Sequence, residues 1–198
     1  MAQIHYNKTF LLQINKDLAV RRNALPILQS KEAALRAETR RIRSQMNDMD
    51  KNIAVLLDSL SGMKRLWSEF PDFVQLEKVT FKERKLASVS VPAVDEITFR
   101  CEPFSLFSHP AWFAQGVELI KQVIRLKIER LVMEKVLENV EYARRKTTQK
   151  VNLYEKVQIP FFDDAVRRIK RFLEDEDNLS KASQKVIKKR MEEELVRL

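Results

Sequence analysis

From Leu11 onward the apolar residues follow alternating steps of three and four: Leu11, Ile14, Leu18, Arg21, Leu25, Leu28, Glu32, Leu35, Thr39, Ile42, Met46, Met49, Ile53, Leu56, Leu60, Met63, Trp67. Only Arg21, Glu32 and Thr39 interrupt the series with polar side chains. A 3.5-residue period held in one register for that long is the mark of a coiled-coil seam, and it predicts one long helix over residues 1–68. Pro26 removes a backbone donor inside that helix and predicts a kink.

A second stripe runs Val117, Ile120, Ile124, Ile128, Val132, Val136, Val140, Ala143, Thr147, Val151, Tyr154, Gln158, Phe161, Ala165, Ile169, Phe172. Its steps average about 3.67, nearer an eleven-residue repeat than a heptad. It predicts a second long helix with a charged tail over residues 113–198. Residues 69–112 between them carry Pro71, Pro92, Pro103 and Pro110 and switch to period-two alternation in "KVTF", "SVSV" and "EITF". That pattern predicts a central head with short strands and a β-hairpin, in which Val79 and Phe81 share one face, as do Val89 and Val91. Lys82–Lys85 is the expected hairpin tip, and Trp67 and Trp112, which flank the head, are expected to pack there. The predicted fold class is mainly α: a long antiparallel two-helix coiled coil around a small head.

In an antiparallel pair, positions equidistant from the joint face each other, which places Arg21 near Ile159 and Glu32 near Thr148. Residues 146–160, "KTTQKVNLYEKVQIP", open with five consecutive polar residues inside the second stripe. A buried polar layer there would fix register at some cost in stability.

Two glycines in 198 residues leave little room for tight turns or phosphate-cradling loops, and no Gly-rich nucleotide motif occurs. His5, His109 and Cys101 stand apart, so no metal site or catalytic pair is expected; the paired acids Asp163 and Asp164 read as a solvated face. The single cysteine and the lack of an apolar span or signal pattern point to a cytoplasmic protein. Neither catalytic residues nor cofactors are expected. The formal charge of +9 is uneven: residues 1–67 hold 12 basic and 6 acidic side chains and residues 113–198 hold 20 and 15, against 5 and 7 between them. Both helices are basic and the head is not.

The stretch 146–160 resembles the C-terminal helix signature of the D subunit, the central rotor shaft of V-type and archaeal-type ATPases. The matching residues are Thr147, Thr148, Val151, Asn152, Leu153, Glu155, Ile159 and Pro160. The opening helix is similar to the family's at Asn7, Thr9, Leu11, Leu12, Leu18, Ile27, Leu28, Lys31 and Leu35, and "SVSVP" (88–92) resembles its hairpin strand. The resemblance covers essentially the whole chain. It implies a non-catalytic axle within a hexamer of A and B subunits, carrying torque between ATP turnover and an ion-translocating membrane ring. The F subunit and a d/C-type linker to the ring would be further partners, and the chain would sit at the membrane periphery without entering it. On that basis Arg144, Arg145, Lys146, Lys150, Arg167 and Arg168 are the expected contacts to the hexamer.

Three other roles share some of these features. A prefoldin-like chaperone also joins two long helices through β-hairpins, but holds clients at helix tips rich in exposed apolar residues. A tethering scaffold would need only the seam. The basic stretch "KASQKVIKKR" (181–190) could serve a nucleic-acid clamp, although it lacks interleaved aromatics and "MEEE" follows at once.

Overall fold

Asn7 starts the first helix. Its Oδ1 accepts the Phe10 N–H at 2.6 Å, satisfying one of the donors that a helix N-terminus leaves open. Residues 4–61, 67–103, 110 and 112–196 are described by the structure, a computed structural model of the chain. Helix α1 covers Lys8–Ser61, strands β1 and β2 cover Val74–Leu86 and Val89–Cys101, and helix α2 covers Trp112–Asn152. A π-helical turn, Leu153–Gln158, leads directly into helix α3, Ile159–Val196. Helix α1 continues through Pro26.

The periodicity of α1 is realised position by position. From Leu11 to Leu56 every seam residue is buried or half-buried, including Arg21, Glu32 and Thr39, while most positions between them are exposed. Met63 lies outside the described residues. The chain divides into two compact units, Met1–Ser30 with Thr148–Leu198, and Lys31–Thr147.

In the first unit, Ile14 packs with Ala165 and Ile169 of α3, ringed by Ile4, Phe10, Leu11, Phe162, Val166 and Leu173. Tyr6 meets Phe172 at a ring distance of 5.1 Å, and Arg21 bonds Gln158. Partner numbers fall as α1's rise, so the packing is antiparallel.

In the second unit, Leu35, Ile42 and Met46 of α1 pack with Val136 and Val140 of α2 and with Val91 of β2. The same antiparallel order holds, with Arg43 paired to Glu141 and Asp50 to Arg130. Arg130 Nε donates to Asp50 Oδ1 at 3.0 Å and Nη1 to Glu134 at 2.9 Å; chiefly through the Asp50 bond, its guanidinium pKa is raised above the ordinary value.

The hairpin corrects two expectations. Its tip is not Lys82–Lys85, which pair with β2 through Ala93, Pro92, Val91 and Ser90. The turn is Ala87–Ser88, with φ of 45° and 68°. Two consecutive positive φ values give the type I′ geometry that matches strand twist, here without the usual asparagine or glycine, which is why the sequence hid it. "SVSV" and "EITF" are likewise one strand rather than two. A bulge leaves Asp95 unpaired between them, and a second leaves Glu77 unpaired on β1. Each bulge shifts the alternation by one residue, which makes one long strand read as fragments. The turn end lies on the helices: Leu86, Ala87 and Val89 pack against the core that holds Val91. Val79 is half-buried on β1, whereas Phe81 is 59% exposed.

At the hairpin's open end, Phe73, Phe113 and Val117 form a core with Phe70, Val74 and Trp112. Trp67 and Trp112 meet edge-to-face at 5.7 Å, as their flanking positions suggested. Gly116 is buried there with little room for a side chain: a Cβ would stand 2.8 Å from Phe70 Cε2, so the ring would have to shift.

Candidate functional site

Only one of the five polar residues that open the stretch faces inward fully. Thr147 is buried, and its hydroxyl donates to the Ala143 carbonyl at 2.8 Å, one turn back in its own helix. Thr39 does the same on α1, donating to Leu35 O at 2.8 Å. A threonine at a seam position keeps the packing volume of valine while its hydroxyl is satisfied locally. Thr148 and Val151 are half-buried; Gln149, Lys150 and Asn152 are exposed. The polar run is therefore a solvated face interrupted by one inward residue.

Beyond it the helix widens. Leu153, Tyr154, Glu155, Lys156, Val157 and Gln158 form the π-turn, and Ile159 N–H donates to Tyr154 O. None of its residues is buried, and Leu153 and Val157 stand 44% and 57% exposed. Turns of this kind concentrate at functional positions in helices. Sequence periodicity missed it, although a proline at 160 inside an unbroken stripe was a signal.

Two arginines of α1 grip this region. Arg21 Nε donates to Gln158 Oε1 at 2.8 Å, Nη1 donates to Asp17 O at 2.8 Å, and the guanidinium lies 4.5 Å from the Phe162 ring centroid. Arg22 Nη2 reaches both Asp163 oxygens, at 2.8 and 2.9 Å. Asp164 pairs within α3 to Arg168 at 2.8 Å. The Asp163–Asp164 pair is thus a set of ion-pair partners.

The six basic candidates do not form one cluster. Arg144 is half-buried and Arg145 exposed, with Arg145 3.7 Å from Glu141. Lys146 lies over the Tyr142 ring at 5.5 Å. Lys150, Arg167 and Arg168 are exposed. Five of the six are thus exposed cations on the helices, and Arg144 is the half-buried exception. From Glu174 to Glu192 every residue is exposed, among them Leu179, Val186, Ile187 and Met191 at more than half. Cys101 is exposed at the end of β2, and His109 lies outside the described residues. Among the described residues no helix is long and apolar enough to cross a membrane.

A family model for the ATP synthase D subunit matches residues 10–189. The chain belongs to the ATP synthase D-subunit family. The V-type ATP synthase D subunit of Borreliella burgdorferi is 28% identical over 191 residues, covering 95% of this chain and 95% of the relative. The Chlamydia pneumoniae protein of the same name is 26% identical, covering 96% and 94%, and that of Chlamydia muridarum is 27% identical, covering 85% and 86%. The family covers the seam of α1, the hairpin, and the π-turn together, so the site lies inside the shared region and not in an appendage.

Proposed function

We propose that this chain is the non-catalytic central-stalk rotor of a V-type ATPase or ATP synthase, transmitting torque between ATP turnover in a surrounding A/B hexamer and ion movement through a membrane ring. The observation that carries the proposal is family membership spanning residues 10–189 on a chain built as two long packed helices. An axle has to resist torsion along its length, and a seam kept in one register does so better than loops would. It also has to turn without sticking, which favours a charged, hydrated outer surface. The exposed basic residues of both helices supply a field that an acidic collar can engage at several angles.

In this reading Arg144, Arg145, Lys146, Lys150, Arg167 and Arg168 include torque-bearing contacts. The exposed terminal part of α3, basic between Lys181 and Arg190 with apolar residues interspersed, is a stretch seated inside the surrounding subunits. The F subunit and a d/C-type linker complete the partner set, and the protein works on the cytoplasmic side, peripheral to the membrane.

Affinity purification of the tagged chain from its own cells tests the proposal. Co-purification of A and B ATPase subunits with a small F-like partner supports it. Recovery of unfolded clients and hairpin-containing paralogues without any ATPase subunit would replace it with the chaperone.

A further inference from the structure

We infer that the π-turn at Leu153–Gln158 is a one-residue insertion locked by Arg21 and Pro160, and that it sets which face α3 turns inward. A wide turn of this kind holds one residue more than an α-helical turn. Every residue after it therefore occupies the place its predecessor would take in an uninterrupted α-helix. If the turn relaxed without losing a residue, α3 would rotate by about 100°. Asp164 would then take the place of Ala165, and Arg168 that of Ile169. Those places are 1% and 0% exposed and close on Ile14, so two charges would enter an apolar core. Val157 would replace Gln158, and Arg21 would lose its acceptor.

Arg21 is the positioning residue for the turn. It sits at a seam position of α1, bonds the last residue of the turn, and covers Phe162 one helical turn further on. Its own anchor is the Asp17 carbonyl and, at 3.6 Å, the Asp17 carboxylate. Pro160 acts from the other side. In an α-helix its ring would press on the Lys156 carbonyl and deny it a donor, so the regular helix is penalised at this one place. The turn ends two residues before it.

The test uses the full chain and reads its structure, so it is independent of the proposed function. Deleting the exposed Lys156 together with Pro160→Ala removes the turn while keeping α3 in register. Helical circular dichroism should be unchanged, and the thermal midpoint should stay within about 3 °C of Pro160→Ala alone. Deleting the exposed Lys135, in unbroken α2, should lower the midpoint by at least about 10 °C. Equal losses for the two deletions overturn the inference. Separately, Arg21→Ala should speed amide hydrogen exchange over residues 157–163 by about tenfold, the loss of charge-assisted bonding at the turn. Unchanged exchange there overturns the role given to Arg21.

Discussion

Arg21 Nε and Gln158 Oε1 lie 2.8 Å apart, joining the first polar interruption of α1's seam to the last residue of the π-turn. A polar break in one helix is thus answered by a polar residue on its partner. With the Phe162 ring beneath the guanidinium, the geometry depends on a planar fork. Arg21→Lys should therefore fail to substitute, destabilising the chain by about 1–2 kcal/mol in urea unfolding. Wild-type stability in that variant would show that charge alone suffices.

Gly116 sits in α2, where alanine would ordinarily gain about 1 kcal/mol of helix propensity. Packing reverses the sign. Phe70, which a Cβ would meet at 2.8 Å, is held by Trp67, Phe73, Trp112 and Phe113 at ring distances of 5.3–5.8 Å, so yielding to a methyl would disturb four aromatic contacts. Overpacking of about 1–3 kcal/mol outweighs the propensity gain, so Gly116→Ala should lower the thermal midpoint, and adding Phe70→Leu should restore part of it.

The hairpin turn stores a cost that can be removed. Ser88 has φ of 68° and is exposed, so its side chain brings no packing to offset a left-handed backbone. Ser88→Gly should stabilise the chain by about 0.5–1 kcal/mol, read as a higher urea midpoint. Ala87 is a poorer choice, because its methyl packs on the core.

How firmly the hairpin is tied to the helices is measured by two residues of opposite exposure. Val91, 1% exposed within the α1–α2 core, should lose about 2 kcal/mol on Val91→Ala, whereas Phe81→Ser, at 59% exposed, should change stability by less than about 0.5 kcal/mol. Similar losses for both would mean that Phe81 is covered in the folded chain.

Long-range order was the most legible part of this sequence. The seam of α1 survives from Leu11 to Leu56 because burial along a two-helix interface recurs with the period written in the residues. Arg21, expected near Ile159, is bonded one residue away, because antiparallel pairing carries the register outward from the joint. Local departures were illegible for the opposite reason. The Ala87–Ser88 turn uses neither residue that positive φ favours, and the bulges at Glu77 and Asp95 break the alternation that marks a strand. The π-turn preserves a stripe on both sides of itself, so a periodicity count averages over it. Within the resemblance only charge singles out the six basic candidates, and charge says where a surface is cationic and nothing about what it touches.

The most direct test of the rotor proposal labels the exposed Cys101, the chain's only cysteine, with a bead in an assembled and surface-fixed ATPase complex. Watching that bead while ATP is supplied reads the chain's motion itself. A rotor should show unidirectional rotation that stops when ATP is exhausted. ATP turnover with the bead stationary relative to the fixed catalytic subunits would contradict it.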